Sequence, residues 1–455
     1  MRPLFLRGGR VLDPSSAIDG VFDLLMADGE IEAMESAGSL QPPRDAIILD
    51  VAGLWVVPGL IDPHVHLRDP GFPHKETILS GLRAAAAGGF TMVAAMANTS
   101  PVNDTPEITR YMLERAHEAR AARLIPVSAV TKGLEGRETV DFAAMVAAGV
   151  RLFSDDGIPI DDQVVLARAF DEAARIGFAI SLHEEDRALT GEGAVNAGEV
   201  SRRLGVAGIP AVAESKRIRR DLALAIGSGA PVHIAHVSTA DGIAIVRAAR
   251  RNGAAVSCEV TPHHLALDEG AVMRWGQNAK MSPPLRGAYD VAAIEAAVAD
   301  GNIDMIATDH APHDPVSKQA QYLNGFFGAA GAKPLAREQI EALTLAANGI
   351  VGLETAVGVV LGLVHRGIIT PARMIEMMSV NPARLLHCDA GTLAVGARAD
   401  ITVIDPDSEW TVDANAFISK SRNTPFAGMR MRGRAVMTIV GGEIVHNNPG
   451  VSVNR

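Results

Sequence analysis

Eight short apolar runs, each ending in a cluster of polar residues, punctuate the chain. They are Leu54–Ile61, Phe90–Met96, Leu124–Val130, Val150–Phe153, Phe178–Leu182, Val232–Ala235, Ala255–Val260 and Ile303–Ala307. Most intervals between them are rich in Ala, Glu and Arg at helical spacing, as in Glu107–Arg120, Gln163–Arg175 and Asp241–Arg251. Strand–helix alternation repeated eight times predicts an α/β fold, a (β/α)8 TIM-type barrel whose reactive groups collect at the C-terminal ends of the strands.

The flanks are patterned differently. Residues 1–53 carry glycine turn signals at Gly8-Gly9 and Gly29 with short strands such as Arg10-Val11-Leu12. Residues 390–455 hold two further strand-like runs, Asp400–Asp405 and Ala435–Val445. These ends predict one small β-sandwich domain built from both termini, 1–53 with 390–455, around a barrel at 54–389. The Gly- and Ala-rich stretch Asp314–Arg337 reads as a long loop.

Composition narrows the class. At 455 residues, 48% hydrophobic and 21% charged, the chain can bury a large core. A net charge of −11 with no basic stripe argues against nucleic acid or an anionic membrane as partner. The densest cationic run, Lys216-Arg217-Ile218-Arg219-Arg220, reads as a solvated helix face. Two cysteines, Cys258 and Cys388, make no disulfide framework and read as buried structural thiols. With no secretory h-region and no apolar run of roughly 18 residues, the expected location is cytoplasmic.

The ends of the runs hold the chemistry. Run one leads to His64 and His66, run two to Asn98, and run four to Asp155 and Asp156. Run five leads to His183, run six to His236, run seven to His263 and His264, and run eight to Asp309, His310 and His313. Nine of the 14 histidines, His233 included, lie in these segments. Strand residues i and i+2 point the same way, so His64 and His66 can grip one metal ion from a strand end. Imidazoles and carboxylates together suit a divalent metal such as zinc. Two such ions sharing a carboxylate lie about 3.5–4 Å apart and activate water between them. Asp309 is then placed to shuttle the proton. Spacing alone does not choose between His233 and His236, and of the adjacent Asp155 and Asp156 only one can enter the barrel mouth.

Five segments carry a resemblance: His64-Val65-His66-Leu67-Arg68-Asp69-Pro70-Gly71, Ala97-Asn98-Thr99, Phe153-Ser154-Asp155-Asp156-Gly157, Val260-Thr261-Pro262-His263-His264-Leu265 and Ala307-Thr308-Asp309-His310-Ala311-Pro312-His313. With Asn423-Thr424-Pro425-Phe426-Ala427-Gly428, they resemble dihydroorotase of the bacterial type with an aspartate metal bridge, in the amidohydrolase superfamily. The resemblance implies that His64, His66 and Asp309 bind one zinc ion and His183 and His236 a second, with Asp156 between. It makes Asp309 the catalytic acid and base, and gives the substrate carboxylate to Arg68 and Asn98, with contacts from His66 and His313. Ser282 stands where the family commonly has asparagine; its side chain is shorter, so its substrate contact would be weaker or bridged by water. The spacer before Asn348-Gly349 is unusual for the family.

The implied reaction is the reversible cyclisation of N-carbamoyl-L-aspartate to (S)-dihydroorotate in de novo pyrimidine (UMP) synthesis, by metal-activated water with an aspartate acid/base. A homo-oligomer and association with aspartate carbamoyltransferase are the partners it implies. Two alternatives fit the residues less well. Hydantoinases and allantoinases typically bridge with a carbamylated lysine, and Arg151–Asp156 contains none. Inactive scaffold homologues lose metal ligands, and here all six are present.

Overall fold

In the computed structural model, which describes residues 2–328, 335–448 and 453–454, eight parallel strands form a nearly closed barrel. They are β1 (Leu60–Val65), β2 (Phe90–Ala95), β3 (Arg123–Ser128), β4 (Leu152–Phe153), β5 (Ile180–Leu182), β6 (Val232–Ile234), β7 (Val256–Val260) and β8 (Met305–Ile306). Neighbours in sequence are neighbours in the sheet throughout. Closure is made by side chain as well as backbone. The buried Asp62 carboxylate accepts N–H groups from His64 (3.1 Å) on β1 and Thr308 (3.1 Å) beyond β8, and His66 N donates to His310 O at 2.8 Å.

Helices follow the strands, among them Ile78–Ala87, Pro106–Ala119, Gln163–Ile176 and Ala240–Arg251. Their starts are written in the sequence. Thr77 and Ser80 make a reciprocal capping box, Asp162 accepts from Val164 and Val165, and Thr239 accepts from Gly242. Each helix turns an apolar face, such as Val165, Leu166, Ala169, Phe170 and Ala173, into the main core.

Both ends of the chain build the β-sandwich from one nine-stranded sheet. Its central strands run Arg430–Val440, Ile401–Thr411, Trp55–Pro58 and Leu4–Asp13, over a core that includes Leu6, Leu24, Val56, Ile401 and Met437. The run Leu54–Ile61, expected as a single barrel strand, is therefore divided. Trp55–Pro58 pairs with Ile401–Ile404 and Arg10–Val11 in the small sheet, and β1 begins only at Leu60. The break falls at Gly59, whose N–H donates to Asp400 O (2.9 Å) and where a Cβ would collide with Thr91.

Three further expectations change. Arg217, read as part of a solvated face, is 4% exposed and pairs with Asp161 (2.5 Å) and Asp221 (3.0 Å), while Lys216 and Arg219 of the same run are exposed. A helix has an inner face too, and a paired guanidinium can occupy it. Cys258 is buried but Cys388 is only half-buried; both are free. The stretch Asp314–Arg337 includes a short helix, Ala320–Leu323, and the buried Lys318, whose Nζ donates to the carbonyls of Gln277, Lys280 and Ala347. Its residues 329–334 lie outside the described residues.

Candidate active site

At the C-terminal ends of the barrel strands lies a cavity of about 270 Å³. Nine of the ten expected site residues line it: His66, Arg68, Asn98, Asp156, His183, His236, Ser282, Asp309 and His313. The tenth, His64, lies beneath it and is 1% exposed. Arg68, His236 and Asp309 hold positive φ values of 58°, 34° and 46°. Non-glycine residues are strained in that region, and the surrounding structure must hold them there.

Asp156 is the hub. One oxygen stands 3.5 Å from His64 Nε2, 3.5 Å from His183 Nδ1 and 3.7 Å from His236 Nε2. Its other oxygen is 3.4 Å from His66 Nε2. Asp309 Oδ1 lies 3.1 Å from His66 Nε2 and 3.7 Å from His64 Nε2. Two groups of three converge on potential cation positions, His64–His66–Asp309 and His64–Asp156–His236, with ligand atoms within 4.8 Å of one another. His183 adjoins the second group, its Nδ1 3.0 Å from His236 Nε2.

The donor chemistry fits a metal. His64 gives its Nδ1–H to Glu259 Oε1 at 2.8 Å, which leaves a lone pair on Nε2; that atom is buried without a hydrogen-bond partner. His66 gives Nδ1–H to Asn98 Oδ1 at 2.9 Å, so its Nε2 lone pair faces two carboxylates. A cation among them would relieve the repulsion of such lone pairs and anions.

The same carboxylates also favour protonated imidazoles, so protons and a divalent ion compete for these ring nitrogens. Burial opposes ionisation of Asp309, yet the charge of His64 and the hydrogen bond from His66 hold its carboxyl far below the usual range. Asp156 is held well below that range against its own burial, by the charge of His64 and hydrogen bonds from His183, His236 and His64. His183 is pushed up to about 10: burial disfavours its charge, but Asp156 and Glu185 outweigh it. Burial and then the charge of Arg68 lower His66.

Arg68 borders this cluster and is half-buried, and the desolvation of its guanidinium pushes it down to about 10. Among the described residues it reaches Pro312 O at 3.3 Å and His313 Nε2 at 3.2 Å, and makes no ion pair with a carboxylate. An arginine so placed offers a fork to an incoming anion. Asn98 is partly committed: its carbonyl serves His66, and one amide N–H faces Asp156 at 3.4 Å.

Geometry separates the open alternatives by which side chains face the cavity. His236 faces the cluster, whereas His233 bonds Ser257 Oγ at 2.8 Å on the far side. Asp156 enters the cavity, whereas Asp155 caps the N–H groups of Val130 (2.7 Å) and Thr131 (3.0 Å). His264 bonds Pro283 O, and His310 accepts from Gly352 N; neither lines the cavity. Two residues were missed from sequence. Glu259 supports His64, and Glu185 stands 3.2 Å from His183 Nε2. Glu185 sits two residues after a candidate ligand and could have been noticed; Glu259 is one acid within an apolar strand.

Comparison with known proteins agrees. Residues 53–242 match a family model described as dihydro-orotase-like. Over the full length of both chains the fold superposes on L-hydantoinase (dihydropyrimidinase) from Arthrobacter aurescens, with TM-score 0.85 and 25% identity. The dihydropyrimidinase of Brevibacillus agri NCHU1002 shares the fold at TM-score 0.79 and 23% identity, covering 99% of this chain and 96% of its own. Fold and site thus define a cyclic amidohydrolase. A dihydroorotase from Anaeromyxobacter dehalogenans (strain 2CP-1) is 46% identical over 97% of this chain and 98% of its own. One from Citrifermentans bemidjiense is 45% identical over 97% and 99%. The chain belongs to the dihydroorotase family.

Proposed function

We propose that this enzyme interconverts N-carbamoyl-L-aspartate and (S)-dihydroorotate, a step of pyrimidine synthesis. The observation that carries this reading is Arg68: a half-buried guanidinium without a carboxylate partner among the described residues, lining the same cavity as the His/Asp cluster. Dihydroorotate is a small cyclic amide bearing a carboxylate, and it fits both features. In this reading Arg68, Asn98 and His313 hold the carboxylate, with Ser282 and His66 at the edge of the ring.

We assign His64, His66 and Asp309 to one zinc ion and His183 and His236 to a second, with Asp156 shared. Bound divalent ions of this kind polarise a carbonyl oxygen and bring the pKa of water near roughly 7. Asp309 handles the proton. In ring opening it takes a proton from attacking water and delivers it to the departing ring nitrogen. In closure it accepts the proton of the ureido nitrogen as that nitrogen bonds to the side-chain carboxyl carbon, and returns it to the departing hydroxide, which leaves as water. His66, through Asn98, and His64, through Glu259, are kept in fixed tautomers meanwhile.

The hydantoinase-like alternative rests on the fold similarity. Against it stands the bridging position, an aspartate here, and a cavity lined by no lysine among the described residues. Purified protein assayed for metal and for hydrolysis of dihydroorotate, hydantoin and allantoin separates the two. Dihydroorotate is expected to lead by about 100-fold or more in kcat/KM; a preference for hydantoin overturns the proposal. A homo-oligomer, association with aspartate carbamoyltransferase and a cytoplasmic location complete the reading. Sedimentation with and without that transferase tests the first two. Among the described residues no helix is long and apolar enough to cross a membrane.

A further inference from the structure

The segment Asn423-Thr424-Pro425 has no part in the chemistry above, yet it reaches the cavity wall. Asn423 is 4% exposed and uses its whole carboxamide. Its Oδ1 accepts from His313 N at 3.0 Å, and its Nδ2 donates to Ala311 O at 2.9 Å and Gly349 O at 3.0 Å. Its backbone carbonyl accepts from Val351 N at 3.0 Å. One side chain thus ties the loop after β8 to the turn at residues 348–351, and Ala311, His313 and Asn348 all line the cavity.

Those two segments are packed without slack. Gly349 has φ +151°, and a Cβ there would lie 2.6 Å from Ala311 O and 2.8 Å from the His313 ring. His313 in turn meets Arg68 at 3.2 Å. A carboxamide suits this position, since it supplies one acceptor and two donors at once.

We infer that Asn423 is a positioning residue for the carboxylate subsite, fixing His313 beside Arg68 and the 348–349 turn opposite. The inference rests on the dihydroorotase reading of the cavity. Asn423 touches neither the candidate metal ligands nor, in this arrangement, the substrate. Its loss therefore loosens carboxylate binding and leaves the proton-transfer machinery in place.

The test is steady-state hydrolysis of dihydroorotate by the metal-loaded full chain, with metal content and melting temperature measured in parallel. Asn423→Ala is expected to raise KM about tenfold, the scale of one or two lost buried hydrogen bonds, with kcat changed less than about threefold. Metal content stays at the wild-type level. In a His313→Ala background the same substitution is expected to raise KM less than about threefold, because the two residues act in series. Asn423→Asp keeps the shape but turns an oxygen toward the Ala311 and Gly349 carbonyls; the same KM-dominated defect is expected, which covers an alanine variant that does not fold. An unchanged KM, a loss confined to kcat, metal loss in step with activity, or an undiminished effect in the His313→Ala background overturns the inference. Wild-type protein inert toward dihydroorotate overturns the functional reading itself, a separate result.

Discussion

Glu259 on β7 joins two histidines from two other strands: Oε1 takes the Nδ1–H of His64 at 2.8 Å, and Oε2 stands 3.0 Å from His233 Nε2. All three are 1% exposed or less. Burial opposes the charge on Glu259, but His233 and His64 bring its pKa down to about 2. An ionised carboxylate behind an imidazole fixes its tautomer and raises its basicity toward a metal. Glu259→Gln keeps the shape and removes the charge. The expected outcome is a fall of roughly 10- to 100-fold in metal affinity, read by chelator competition. Unaltered affinity would show that the carboxylate is only filling space.

Asp309→Asn retains one oxygen toward His66 and abolishes the base. Turnover of dihydroorotate is expected to drop about 10³-fold, within the range for a lost general acid–base. Metal content should stay near the wild-type value, checked by elemental analysis. Substantial remaining activity would take the proton-transfer role away from this residue.

Arg68→Lys preserves charge but not the fork. The expected effect is a rise in KM of about 10- to 100-fold with a smaller change in kcat. The left-handed backbone at Arg68 is common to both side chains, so their difference reports recognition and not strain. Equal KM values for the two proteins would move the carboxylate elsewhere.

Glu354 offers a pH test away from the candidate metal ligands. It accepts N–H groups from Ile418 (2.9 Å) and Ser419 (3.0 Å), and burial pushes its pKa up from 4.5 to about 7. Between those values the unfolded chain releases this proton while the folded one keeps it. Stability from this group therefore falls as pH rises from about 4.5 to about 7 and is level above. Melting temperature of the wild type relative to Glu354→Gln should decline across that window. A flat difference would contradict the assignment.

Much of this was legible in the chain. Seven of the eight apolar runs became the barrel strands expected of them, because buried parallel strands leave continuous apolar segments. The exception, Leu54–Ile61, is uniformly apolar, and nothing local says that its first half pairs with residues 401–404, some 340 positions away. The choice of His236 over His233 was equally hidden, since both are histidines on or just after one short strand. The excursion after β5, with its small sheet Val195–Asn196 and Gly208–Ile209, also went unseen; two-residue strands leave no periodicity to read.

Gly59 marks the passage from the small sheet into β1, and its consequence concerns synthesis from the ribosome. By the time residue 313 has emerged, all ten candidate site residues exist, yet Trp55–Pro58, the strand that leads through Gly59 into β1, still lacks its antiparallel neighbour, Ile401–Ile404. Domains that close on their C-terminal segment cannot finish folding during elongation. The histidine pair at the head of the barrel is thus anchored on one side by some of the last residues to be made.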